Sequence, residues 1–241
     1  MKTMAWAGLV LGSVLLSACE TQPELGCMTA RGGFAAKYTL KPGQQVEGAC
    51  TELKGEVIGV QTYHPAKETS EGVKPDTRIT TLAIRTETLG MLEGQDPDHA
   101  VTSLGGLSSE PDADSTCHAT DLSTAEQHIA ASEEQPQLDL AYSWKHVGIV
   151  SKPEIPGTQL WADLSYTAGG CTAEYSVRAV WPVLWCFQTD EEGNPVLGDD
   201  GAPVADDSLC GPGSGMNPDF PVHCDPDVGL CVLDSDPPTL R

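Results

Sequence analysis

Between residues 138 and 181 the chain alternates between apolar and polar positions. Leu138, Leu140, Tyr142 and Trp144 take turns with Asp139, Ala141, Ser143 and Lys145; Leu160, Ala162, Leu164 and Tyr166 with Gln159, Trp161, Asp163 and Ser165; Tyr175, Val177, Ala179 and Trp181 with Glu174, Ser176 and Arg178. A period of two is that of a strand with one face on a core and the other in solvent. Lys152-Pro153-Glu154-Ile155-Pro156-Gly157 separates the first two segments and Ala168-Gly169-Gly170 the second pair. These turn formers predict an antiparallel meander. Upstream, Glu56 to Tyr63 and Arg78 to Thr86 are rich in β-branched residues, and Ala36 to Leu40, Gln45 to Cys50 and His99 to Ser103 are shorter candidates. Ser123-Thr124-Ala125-Glu126 has capping-box spacing and predicts one helix over 123–131. The sum is an all-β fold, an antiparallel β-sandwich or a partly open barrel. His146, two residues beyond Trp144, falls on the apolar face and reads as a hydrogen-bonded strand-end histidine. Trp161 falls among polar positions and is expected beneath the C-terminal tail or a second sheet.

The first residues follow another pattern. Met1 and Lys2 precede an apolar run from Met4 to Leu16. At about 13 residues it is too short for a settled span of ~30 Å of hydrocarbon and reads as the core of an export signal. Leu16-Ser17-Ala18-Cys19 follows directly. This segment resembles the lipobox of bacterial lipoproteins. The resemblance implies a diacylglycerol on the Cys19 thiol, cleavage before Cys19 and acylation of the new amine. It covers residues 1–20 and names a mode of export, with no activity attached. Glu20, where an aspartate would favour inner-membrane retention, points to the outer membrane. Two or three acyl chains anchor stably where one does so marginally.

Composition then narrows the possibilities. With 35 acidic and 13 basic residues the net charge is −22, which argues against nucleic acid and against adhesion to anionic lipid through basic residues. The charge is uneven. Residues 187–241 hold twelve Asp or Glu, one basic residue and fifteen Gly or Pro. Another twelve acidic residues and no Lys or Arg lie between Arg85 and Lys145, a stretch expected to be a solvated excursion between sheets. Nine cysteines less Cys19 leave Cys27, Cys50, Cys117, Cys171, Cys186, Cys210, Cys224 and Cys231, an even set that predicts up to four disulfides in an exported chain. Short spacing suggests Cys27 with Cys50 and Cys224 with Cys231. These bridges would hold the loop-rich acidic tail in one shape despite its composition. The expected organisation is a signal peptide over 1–18, a lipidated tether over 19–26, a β domain over 27–186 and a disulfide-stapled tail over 187–241.

Candidate chemistry is sparse. Asp190, Glu192, Asp199 and Asp200 offer clustered oxygen ligands suited to Ca²⁺, though neither stretch has the spacing of an EF-hand loop. Gly211-Pro212-Gly213-Ser214-Gly215 places its serine out of register for a nucleophile elbow, and no H-E-x-x-H or P-loop occurs. The six histidines are scattered, and no close Cys pair suggests zinc. The expectation is an exported, lipid-anchored envelope protein that works as a non-enzymatic binding or structural module with an envelope protein or glycan as partner. An envelope hydrolase acting on glycan or another extracellular polymer, built on two facing carboxylates, and a calcium-dependent surface module are the alternatives.

Overall fold

A computed structural model describes residues 26–132 and 136–241. The expected signal peptide, Cys19 and most of the tether lie outside the described residues. The strands in chain order are β1 (Gly32–Leu40), β2 (Gly55–Tyr63), β3 (Ala66–Thr69), β4 (Gly72–Pro75) and β5 (Thr80–Thr86). A one-turn helix α1 (Glu87–Met91) follows, capped by the Thr86 side chain accepting from the Leu89 amide. Then come β6 (Ser103–Leu107), β7 (Thr116–Thr120), β8 (Ala125–Ile129), β9 (Leu138–Lys152), β10 (Ile155–Ala168), β11 (Cys171–Val180), β12 (Val222–Asp225) and β13 (Leu230–Leu233).

The fold is all-β, and of the two expected forms it is the barrel. Antiparallel pairing runs β1, β2, β5, β6, β7, β9, β10, β11 and returns to β1. The weakest seam is β6 with β7, which share two residue pairs. The long strand β9 carries both β7 and β8 along one edge, β8 against 138–142 and β7 against 148–150. The meander expected from the alternation is β9–β10–β11, and Gly169 and Gly170 make its two-residue turn with φ of 59° and 79°.

The alternation predicts the core correctly on one side of a bulge and inverts on the other. Leu140, Tyr142 and Trp144 point into the barrel. His146 and Val147 then stand opposite the single residue Ala162, so inward positions shift from even to odd, to Val147 and Ile149. His146 takes φ 49° and its side chain is 81% exposed. It therefore lies outside the barrel, against Asp163, and not on the apolar face. Gly148 lets Trp161 lie flat across β9, since a Cβ there would meet the indole at 2.2 Å.

Four expectations need correcting. The segment 123–131 holds strand β8 (Ala125–Ile129), not a helix. Ala125, Gln127 and Ile129 are buried against the barrel, and Ser123 Oγ accepts from the Leu104 amide instead of capping a helix. Pairing with β9 overrides a one-turn local preference. Residues 45–50 are a loop ending in a 3₁₀ turn at 49–51, and the expected strand at 99–103 begins only at Ser103. The acidic stretch between Arg85 and Lys145 is no excursion: it supplies β6, β7 and β8.

Four disulfides form, with connectivity that spacing did not foresee: Cys27–Cys117, Cys50–Cys171, Cys186–Cys224 and Cys210–Cys231. Closing a loop about four times longer costs only about 1 kcal/mol more, so packing outweighs spacing. Cys224 and Cys231 face each other in the β12–β13 register, yet each sulfur joins another segment. The tail folds over the outside of the barrel. Met216, Phe220, Leu230, Val232 and Leu233 bury with Ala35, Val150, Ile155 and Val180 of the barrel strands in a second core, and Trp161 packs against it as expected. Lys37 Nζ on β1 meets Asp225 Oδ2 of the tail at 2.5 Å, and Arg178 Nη1 donates to the Asp234 carbonyl.

Candidate functional site

One end of the barrel is bounded by the Cys50–Cys171 bridge, the β10–β11 turn and the start of β9. There a cleft of about 750 Å³ is lined by Ala49, Glu52, Leu53, the 137–140 segment, Tyr166 and the 168–170 turn. Its buried and half-buried lining is largely apolar (Leu53, Leu138, Leu140, Tyr166, Ala168), and its exposed lining includes Glu52 and Gln137. The cleft thus has an apolar floor and a polar rim.

Beneath Tyr166 the barrel interior is filled. Tyr142 lies 4.9 Å from Tyr166 between ring centroids, and Tyr38, Trp144 and Tyr175 complete an aromatic cluster. Among these rings sits one carboxyl, Glu56, 9% exposed. Glu56 Oε1 accepts from the Tyr142 and Tyr38 hydroxyls at 3.0 and 3.3 Å, and Oε2 from the Thr88 amide at 2.9 Å. Burial pushes the Glu56 carboxyl above its ordinary range, opposed by those hydrogen bonds. Burial and the nearby Glu56 charge also push the Tyr38 and Tyr142 hydroxyls up. Both carboxyl oxygens are engaged by the fold, so Glu56 serves as an internal tie.

The histidines are less scattered than the sequence suggests. Glu126 and His128 are alternate residues on the outer face of β8, and His128 stands opposite Asp139 in the β8–β9 register. The loop after α1 brings His99 beside them, with the two imidazole centroids 4.6 Å apart. His128 is pushed above its ordinary pKa, chiefly by its hydrogen bond to Asp139. Asp139 is held below its ordinary range by the same bond. Sequence reasoning missed this group because it read 123–131 as a helix. On a helix residues two apart point away from each other, whereas on a strand they share a face. The signal that could have found it was Glu126-x-His128 within an alternating segment.

The calcium candidates do not converge in this way. Asp190 Oδ1 accepts from the Glu192 and Asn194 amides, and Asp200 Oδ1 from the Ala202 amide, so each shapes its own turn. Among the described residues, two groups of three bring metal-ligating atoms together. One comprises Cys186, Cys210 and Cys231, all consumed in disulfides; the other is His99, Glu126 and His128. Cys117 is likewise oxidised, which removes a thiol nucleophile beside His118.

The MlpA family model matches residues 32–182, the span from the first strand of the barrel to just past the last. A Myxococcus xanthus protein whose name reads "Putative lipoprotein MlpA" is 33% identical over 247 residues, covering 97% of this chain and 95% of its own length. No solved structure matches.

Proposed function

The chain belongs to the MlpA family and is an exported, lipid-anchored lipoprotein of the bacterial cell envelope, and from that premise we propose that it is a non-enzymatic binding module whose partner docks at the open end of the barrel. The lipid sits on Cys19, and with Glu20 following it the address is the outer membrane. The observation that carries the proposal is the cleft itself. Its floor of Leu53, Leu138 and Leu140 beside Glu52 and Asp139 suits an extended protein segment with apolar and basic side chains. A lumen for a lipophilic ligand has no room here, because the aromatic cluster occupies it. Apart from Ile155, Trp161 and Val180, which the tail covers, the outward positions of β10 and β11, among them Asp163, Ser165, Glu174 and Arg178, are polar, opposite to a lipid-facing barrel.

The test is photocrosslinking from Gln137 and Glu52 in cells making the lipid-anchored chain, with Lys74 in the β3–β4 hairpin as the distant control. The expected result is a discrete adduct with an envelope protein from the two cleft positions and none from Lys74. Equal labelling from all three, or an adduct with glycan, would overturn the choice of partner. Turnover on a panel of envelope glycans would overturn the non-enzymatic reading.

A further inference from the structure

We propose that His99, Glu126 and His128 form a binding site for one divalent transition-metal ion of the zinc class. The donor atoms of the three side chains lie within 4.8 Å of one another. Glu126 Oε1 is 3.9 Å from His99 Nε2, and Oε2 is 3.8 Å from His128 Nε2. Tetrahedral zinc with bonds of about 2.0–2.1 Å needs ligand atoms roughly 3.3 Å apart, so small side-chain rotations close the site.

Two features distinguish this group from an ordinary surface cluster of charge. The first is the orientation of both imidazoles. His99 Nδ1 lies 2.7 Å from Asp96 Oδ2 and His128 Nδ1 lies 3.1 Å from Asp139 Oδ1. A carboxylate accepts only, so each ring carries its proton on Nδ1 and turns the Nε2 lone pair toward the shared point. A carboxylate behind each ligating histidine is how metal sites fix the tautomer and raise ligand basicity. Asp139 is itself held by Gln137 Nε2.

The second feature is a backbone clamp that places His99. The Glu126 amide donates to the Ala100 carbonyl and the His128 amide to Asp96 Oδ2. The buried Gln127 side chain donates from Nε2 to the Asp96 and His99 carbonyls. Five residues, Asp96, His99, Glu126, His128 and Asp139, thus belong to one hydrogen-bonded frame that spans a loop and two strands.

Two imidazoles with one carboxylate select Zn²⁺, Cu²⁺ or Ni²⁺ over Ca²⁺ and Mg²⁺, which take oxygen ligands. Three protein ligands leave a coordination position open. Asp139 also lines the cleft, so the ion would sit at its border, but the site stands whether or not the cleft takes a partner.

The experiment is a titration of metal-stripped, detergent-solubilised mature protein with ZnCl₂, followed by calorimetry and native mass spectrometry. Cobalt substitution gives a spectroscopic readout. The expected result is one zinc per chain and visible cobalt bands of a four- or five-coordinate site. His99→Ala with His128→Ala should lower zinc affinity at least 100-fold with the melting temperature unchanged in metal-free buffer. Asp139→Asn should lower it about 10- to 100-fold, because it acts through His128. His146→Ala and His223→Ala, each a lone histidine beside one aspartate, should leave it unchanged. No zinc bound at millimolar excess, equal binding by the double variant, or displacement of zinc by equimolar Ca²⁺ would each overturn the proposal.

Discussion

Glu56→Ala should cost about 2–4 kcal/mol of stability. The substitution removes the acceptor of three donors. Two of them, the Tyr142 and Tyr38 hydroxyls, are buried without access to water, and each costs about 1–3 kcal/mol when left without a partner. The third, the Thr88 amide, is half-buried and can be hydrated, so it adds about 0.5 kcal/mol. Relief of the buried carboxylate offsets part of this at neutral pH, since burial already pushes the Glu56 pKa up. The measurement is urea unfolding, disulfides intact, of the lipid-free Cys19→Ala protein. A double-mutant cycle with Tyr142→Phe isolates the tie. Tyr142→Phe alone should cost about 1.5 kcal/mol, but in the Glu56→Ala background it should be neutral or stabilising, because it then removes an orphaned hydroxyl. The coupling should reach at least about 1 kcal/mol.

The pH dependence has a definite sign. A carboxyl with a raised folded pKa binds its proton more tightly in the folded state. Its contribution is therefore fully present below the unfolded pKa of about 4.3 and is lost as pH rises through the folded value. Asp96, Asp112 and Asp139, held below their ordinary range, act in the opposite direction and lose their contribution as pH falls. Subtracting the Glu56→Ala stability curve from that of the parent cancels those groups. The difference should shrink as pH rises from about 4. A flat difference, a cost below about 0.5 kcal/mol, or an equal Tyr142→Phe cost in both backgrounds would refute the role given to Glu56.

Exchanging residues 1–19 for a signal peptide that is cleaved without lipidation should shift the protein from the membrane to the soluble fraction on cell fractionation; retention in membranes would end the tether assignment. Gly148→Ala should destabilise by about 1–3 kcal/mol in thermal melts, since its methyl would meet the Trp161 ring. Trp161→Ala in that background should recover part of the loss. Replacing both Cys50 and Cys171 by Ala should cost about 2–5 kcal/mol, read in urea with the other bridges intact. Non-reducing peptide mapping should recover linked pairs 27–117, 50–171, 186–224 and 210–231, and a 27–50 or 224–231 pair would contradict the fold.

The residues show where local pattern suffices. Leu160, Leu164, Tyr166, Tyr175 and Val177 declare their inward face through a period of two, and Gly169-Gly170 declares its hairpin through the positive φ that only glycine takes freely. Leu16-Ser17-Ala18-Cys19 carries the lipoprotein class within four residues, because a processing signal is read as a linear segment. Such features depend on neighbours a few positions away, which is why they are legible without a fold.

What the tertiary structure decided depends on partners far along the chain. Barrel closure needed β9 to join β7 to β10 while also carrying β8, and the bulge at His146 and Val147 inverted which residues face inward. Cysteine pairing followed from which sulfurs the closed barrel and its tail brought within reach, since loop length changes the closure cost only slowly. His99, Glu126, His128 and Asp139 became neighbours only once 125–129 paired as a strand on β9 and the loop after α1 was clamped against it. In the linear sequence those four are separate residues in an acidic stretch; strand register, a long-range property, made them one group.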